Sequence, residues 1–456
     1  MSELRLLGRH AVSVLAGQLA VMAFGVADTV IAGRHSAEAL AALSVGSAIY
    51  ISVYVALIGV IQALLPVWAE MRGARREHDI GASLRQGLYL GAGLTAVGTA
   101  VLLLPGPLLR WAQVPQAMHA EVQAYLGVLA LAFLPALLFR MYSTLNQALG
   151  RPLLVTWLQI AALGVKVPLS LWLVGGGAGV PAMGAVGCAW ATLAVNYLLL
   201  GLAVVLLRTS PIYRPLGLWK AMEPPDARQI RQFLRLGLPG GLAYMVEVTS
   251  FTLMAVFIAR MGTTAAASHQ VAASVTAVLY MVPLSLAIAT SARVSYWIGR
   301  GDADAARRLV ALGLALGGGC ALSLAALLAW QHHRVALWYT GNPAVAAAAA
   351  PLLLWVALYH VADALQALSA FLLRCWRVTL VPLAVYGVML WGLGLAGGYW
   401  LAYEGGTLAG RHVAAQASAA SFWMAATAAL SAVALSLMLL LWRHARQGLP
   451  PALRPT

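Results

Sequence analysis

TSPIYRPLGLWKAMEPPDARQIRQ, residues 209–232, is the longest polar stretch of the chain and divides its 456 residues almost in half. Four of the twenty prolines lie in it, together with Arg214, Lys220, Arg228 and Arg231. That composition reads as a linker. On both sides of it the sequence is nearly continuous apolar runs, at roughly 11–33, 42–69, 84–105, 120–146, 152–174 and 184–207 before, and at 235–259, 268–297, 309–330, 344–373, 378–402 and 414–442 after. Each run reaches the ~20 apolar residues that a bilayer-crossing helix needs. The expectation is an all-α polytopic membrane protein with six helices in each half. Its segments are an N-terminal lobe over 1–208, the linker over 209–232, a C-terminal lobe over 233–442 and a tail over 443–456.

Composition supports the bilayer as solvent. Hydrophobic residues make up 62% of the chain and charged ones only 9%, where soluble domains carry about a quarter charged. A soluble fold could not cover that much apolar surface. The net charge of +15 raises nucleic acid as a partner, but the basic residues sit in short clusters between apolar runs, with no basic stripe interleaved by aromatics. With the N-terminus inside, the inner connections hold Arg5 and Arg9, then Arg72, Arg75 and Arg76, the linker set, Arg300, Arg307 and Arg308, and finally Arg443, Arg446 and Arg454. The outer connections hold only Arg34, Arg110, Arg260, Arg334 and Arg411. This asymmetry places both termini in the cytoplasm, at the cell inner membrane. The first span has no cleavage signal before it and reads as retained. Cys188, Cys320 and Cys375 all lie in apolar runs without a CxxC pattern, so no disulfide or metal scaffold is expected.

The two halves echo each other. MRGARR (71–76) follows the second span and IGRGDADAARR (298–308) the eighth; LGRP (149–152) follows the fourth and RCWR (374–377) the tenth. Like halves imply a parallel repeat about a pseudo-two-fold axis along the membrane normal, with the substrate site at the repeat interface. Pro66, Pro135, Pro168, Pro239, Pro283 and Pro382 fall inside spans, where each can serve plain helix curvature or hinging.

Of the fourteen acidic residues, Asp28, Glu247 and Asp363 lie within spans. A charge at mid-bilayer costs about 2.5–3.5 kcal/mol on insertion scales, so it needs a partner, water or a proton. A buried carboxylate can take up a proton or ligate a hard cation, and either use suits coupling to an ion gradient. The alternative is a helix–helix hydrogen bond without a transport role. Helical spacing gives Asp363 the company of Tyr359, His360 and Gln366, and gives Glu247 that of Tyr244, Ser250 and Phe251. Such polar and aromatic neighbours fit a cation-accepting pocket. His360 is either a proton relay or a hydrogen-bonding neighbour. Lys166 lies centrally in VTWLQIAALGVKVPLSLWLV (155–174), too deep for easy snorkelling. Asp28, the one acid in the first-half spans, is its expected partner.

Four segments carry a resemblance: AGQLAVMAFGVADTVIAGRHSAEALAALSVGSAIY (16–50), LGLPGGLAYMVEVTSFTLMAVFIARMG (236–262), AASHQVAASVTAVLYMVPLSLAIATSARVSYWIGRGD (266–302) and LYHVADALQALSAFLLRC (358–375). They resemble the multidrug and toxic compound extrusion family, on its bacterial NorM-like branch, over nearly the whole chain. The resemblance implies two six-helix lobes around a central cavity, V-shaped when open, and antiport of small organic cations against Na+ or H+. It sets Asp28 and Glu247 at the family's acidic positions, Asp363 at its third acid and Tyr359 at its cation-contacting tyrosine. Glu247, Asp363 and Tyr359 would then hold Na+ if sodium is the coupling ion. Lys166 and Ser170 stand where the family often has amides or acids that complete a first-lobe ion site. From this departure we expect Asp28 to be salt-bridged, leaving coupling to Glu247 and Asp363. No cofactor beyond the coupling ion is expected, and the partners are the lipid bilayer and small cations bound by a monomer, with antibiotic resistance as a consequence.

The nearest rival is a lipid-linked oligosaccharide flippase of related architecture, whose cavity should be strongly basic where three acids dominate here. An intramembrane enzyme is disfavoured by the absence of HExxH, GxSxG and paired cytoplasmic aspartates, and ATP-driven transport by the absence of a GxxxxGK[ST] loop.

Overall fold

The computed structural model describes residues 3–111, 115–177, 179–408 and 411–449; the last residues of the tail, Arg454 among them, lie outside this set. Among the described residues, twelve helices are long and apolar enough to cross a membrane: α1 Glu3–His35, α2 Ala37–Gly73, α3 Glu77–Leu103, α4 Met118–Ala148, α5 Pro152–Gly175, α6 Ala185–Thr209, α7 Ala227–Ala259, α8 Thr263–Gly299, α9 Ala303–Tyr339, α10 Pro343–Cys375, α11 Leu380–Glu404 and α12 Ala419–Arg446. A short hairpin, β1 Gly406–Leu408 and β2 Arg411–Val413, joins α11 to α12. The chain is a multi-pass, all-α membrane protein apart from that hairpin.

Helices are the only open-chain solution in lipid, because each residue's N–H and C=O must be satisfied within its own segment. Their boundaries follow local chemistry. Ser36 caps α2 by accepting from the Ala39 N–H at 3.0 Å. Asp302 caps α9 through Ala305, and Asn342 caps α10 by accepting from Ala344 at 2.9 Å, with Pro343 at the first helical position. Within α2 the backbone breaks at Ala63, three residues before Pro66, whose ring clashes with the preceding turn.

By contacts the chain forms two units, Val12–Gly241 and Met1–Ala11 with Leu242–Thr456. In the first, α4 packs on α2, α3 and α6. In the second, α10 is the central helix, packed on α8, α9 and α12. It is buried around most of its circumference, so its residue 363 is kept from lipid.

The linker between the halves is a strap on the first unit. Pro211–Leu216 forms a 3₁₀ turn with Tyr213 and Leu216 buried, and the chain is helical again from Ala227. The Tyr213 hydroxyl donates to Asn146 Oδ1 at 2.8 Å. Arg85 Nε donates to Glu223 Oε2 at 2.6 Å and its Nη1 to the Gly217 carbonyl at 2.8 Å. Tyr89 donates to the Glu223 carbonyl, and Gln86 bonds both the Pro224 carbonyl and the Asp226 N–H. The Arg85 guanidinium holds the exposed Glu223 carboxyl down at about 2. Gly81 is required where the strap crosses α3, since a Cβ there would lie 1.9 Å from the Leu216 carbonyl oxygen.

Candidate functional site

Two groups of membrane-embedded charge stand out, one in each unit. In the first, α1 delivers Asp28 and α5 delivers Lys166, which is only 1% exposed. Lys166 Nζ lies 2.9 Å from Asp28 Oδ2 and donates to Thr192 Oγ1 of α6 at 2.7 Å. Ser170, one turn along α5, donates to Asp28 Oδ1 at 3.2 Å. Thr192 in turn donates to the Cys188 carbonyl, and the Cys188 thiol faces the Asp28 backbone carbonyl at 3.9 Å. The carboxylate therefore meets both a cation and a hydroxyl donated by the chain itself. Lys166 and Ser170 share a face because they are four residues apart on α5. Thr192 and Cys188, also four apart on α6, are site residues that hydropathy could not reveal, since neither is charged.

In the second unit, α10 delivers Asp363, 2% exposed, and α7 delivers the partly buried Glu247. The two carboxylates lie within electrostatic reach of each other. Gln366 Nε2 donates to Asp363 Oδ1 at 3.0 Å, and the Tyr386 hydroxyl of α11 donates to Gln366 Oε1. Among the described residues no Lys, Arg or His forms an ion pair with either acid. Tyr359 is buried beside the pair on α10, edge-on to Phe251 of α7 at 5.8 Å and to Trp423 of α12 at 5.7 Å between ring centres. Tyr244 of α7 and Tyr280 of α8 share the same electrostatic neighbourhood. His360 does not join it by hydrogen bonding: neither ring nitrogen has a partner among the described residues.

The structure thus brings together Asp28, Lys166 and Ser170 in one unit, and Glu247, Asp363, Tyr359 and Gln366 in the other. Tyr280, Tyr386 and Trp423 complete the second group without a sequence signal, because aromatic residues in apolar spans look like any other packing residue. No group of three or more His, Cys, Asp or Glu side chains converges among the described residues. The donors of the second group are oxygens, which suit a proton or a hard monovalent cation and not zinc or copper.

The profile of the MatE family matches residues 14–172 and 239–400. The chain belongs to the MatE family. Both matched blocks contain the charged groups described above, Asp28 and Lys166 in the first and Glu247 and Asp363 in the second. Among MatE relatives, the chain is 38% identical over 395 residues to a "probable multidrug resistance protein NorM" of Aromatoleum aromaticum, covering 87% of this chain and 85% of that protein. It is 32% identical over 401 residues to "multidrug resistance protein PmpM" of Pseudomonas aeruginosa, covering 88% and 84%. The fold matches the crystal structure of a Vibrio cholerae MATE transporter, VcmN, with a TM-score of 0.85 at 16% identity over 97% of each chain. As a MatE protein it is a membrane transporter and not an enzyme.

Proposed function

We propose that this protein is a secondary antiporter of the inner membrane, with both termini cytoplasmic, that exports cationic or amphipathic drugs and toxic compounds in exchange for Na+ or H+. The single observation that carries the reading is the Glu247–Asp363 pair: two carboxylates on membrane-spanning helices that meet at the Phe251–Tyr359 ring contact, with no ion pair to either acid among the described residues. Two like charges held away from water repel, and one cation or proton between them relieves that repulsion. Such a pair is stable only when something from solution joins it, which is the requirement for a coupling-ion site. The relatives' names as multidrug resistance proteins support the drug as the exported species, and Tyr359, Phe251 and Trp423 supply ring faces suited to cations.

Exchange follows if ion and drug disfavour each other's binding, which linkage makes reciprocal. Asp28 takes a different role, because Lys166 already occupies the place of an ion beside it. The test is dye efflux from proteoliposomes under an imposed Na+ or proton gradient. Wild type should respond to one gradient, and Glu247→Gln with Asp363→Asn should abolish the response. Gradient-driven efflux at the full wild-type rate in that double variant would overturn the reading.

A further inference from the structure

Helix α11 is not a regular helix. From Gly387 to Ala396, and again from Trp400 to Glu404, its backbone is a π-helix, in which each N–H bonds the carbonyl five residues back; the Gly405 N–H reaches Trp400 in this way at 2.8 Å. π-helix is rare, well under 1% of residues, and it occurs mostly as single turns near functional sites. Stretches of ten and five residues in one span therefore need something to hold them.

Side-chain hydrogen bonds link α11 to the two helices that carry the acid pair. At its start, Tyr386 donates to Gln366, which donates to Asp363. Within the first π stretch, Trp391 Nε1 donates to the Val246 carbonyl at 3.3 Å, and the Leu390 carbonyl accepts from Ser250 at 3.4 Å. Val246 and Ser250 flank Glu247 along α7. Helix α11 is thus tied to Asp363 by the residue just before its wide-turned stretch, and to the backbone around Glu247 by the stretch itself.

We propose that Tyr386 and Trp391 are positioning residues for the coupling ion: the π-helical stretch of α11 holds Asp363 and Glu247 in register for a single proton or hard monovalent cation. The proposal rests on the reading of these acids as the coupling site. The chemistry of the chain Tyr386–Gln366–Asp363 suits that task. With Asp363 ionised, the hydroxyl donates to the amide oxygen and the amide N–H donates to the carboxylate, each bond polarising the next. The titratable groups around the pair are Tyr244 on α7, Tyr280 on α8, Tyr359 on α10 and Tyr386 on α11, and the charge of Arg374 also reaches Tyr386.

The experiment measures initial dye efflux in proteoliposomes against the size of whichever ion gradient drives wild type, for Tyr386→Phe, Trp391→Phe and Tyr403→Phe. Tyr403 is the control: it also anchors α11 to α7, through a 2.7 Å bond to the Phe257 carbonyl, but away from both acids. Loss of one hydrogen bond in the chain should shift the half-saturating ion concentration of Tyr386→Phe about 3- to 10-fold, upward for a metal cation, which needs the ionised carboxylates in register, and downward for a proton, because the ionised form of Asp363 loses a supporting donor; Trp391→Phe should also shift it. Tyr403→Phe should keep the wild-type ion affinity. The proposal is overturned if Tyr386→Phe keeps wild-type ion affinity, or if Tyr403→Phe shifts it equally. Should Tyr386→Phe not accumulate in the membrane, Trp391→Phe against Tyr403→Phe makes the same decision. Glu247→Gln with Asp363→Asn, run alongside, separates this outcome from failure of the coupling-site reading, which only that double variant tests.

Discussion

Asp28 and the Glu247–Asp363 pair are carboxylates in the same kind of helix and the same kind of solvent, yet the two units treat them differently. Asp28 is supplied with a cation by its own chain, Lys166 at 2.9 Å, and with a hydroxyl from Ser170. Asp363 receives an amide from Gln366, and among the described residues neither it nor Glu247 forms an ion pair with a cation. The difference teaches where an exchangeable ion is needed. On the proposed reading, a charge neutralised by a tethered ammonium has no use for a second cation, whereas a pair of acids without one takes its cation or proton from solution.

The comparison breaks first, and with the largest effect, at the acid pair. Glu247→Gln with Asp363→Asn should reduce gradient-driven efflux in proteoliposomes to the level of protein-free vesicles. Next in size is Asp28→Asn, which leaves the buried Lys166 ammonium without its counter-charge. Removing one partner of a buried pair costs about 3–5 kcal/mol, and thermal unfolding in detergent should show the loss. Adding Lys166→Met to Asp28→Asn should restore most of that stability, because the uncompensated charge is gone. The pair Glu247→Gln and Asp363→Asn should do the opposite and raise thermal stability, since two repelling charges disappear.

A sharper probe is Lys166→Asn. It removes the tethered cation and frees Asp28 to take one from solution, so the ion dependence of efflux should become steeper. Unchanged ion dependence together with unchanged drug resistance would mean that Lys166 is not standing in for an ion.

The smallest effect is expected at the linker. Arg85 holds the Glu223 carboxyl at about 2, below its ordinary value of 4.5. A depressed value means that the bond contributes fully above the ordinary value, and that the contribution fades as pH falls toward the depressed one. Hydrogen exchange of the amides at 217–226 should therefore quicken relative to the helices as pH drops through that interval. Arg85→Ala should give the same relative loosening already at neutral pH.

Much of this was open to reading before any coordinates. A carboxylate within a run such as AFGVADTVIAG stands out because every neighbour is apolar, and Lys166 pairs with Asp28 by elimination, there being no other acid in the first-half spans. The Asp363–Gln366 bond follows from helical spacing. Spacing alone also made His360 a candidate partner of Asp363, but side chains three residues apart meet only when their rotamers and the surrounding helices allow it, and His360 makes no such bond. Tyr386 was beyond reach: it lies twenty residues from Gln366, on a different helix, and nothing in LVPLAVYGVML announces a hydroxyl aimed at an acid site. The linker was read as a connection by its prolines and charges, and its burial of Tyr213 and Leu216 depended on the cleft that α3 and α4 present.

What the sequence determined by itself is the number of spans and the location of the charges that the bilayer should not tolerate. These are properties of segments of ~20 residues, where hydropathy alone decides the solvent and the backbone satisfies itself. What only the tertiary structure decided is that Tyr386 reaches Asp363 through Gln366, and how α11 unwinds into a wider helix bonded to α7. Those outcomes depend on how helices distant in sequence are rotated and packed against one another, and no local pattern of residues encodes that rotation.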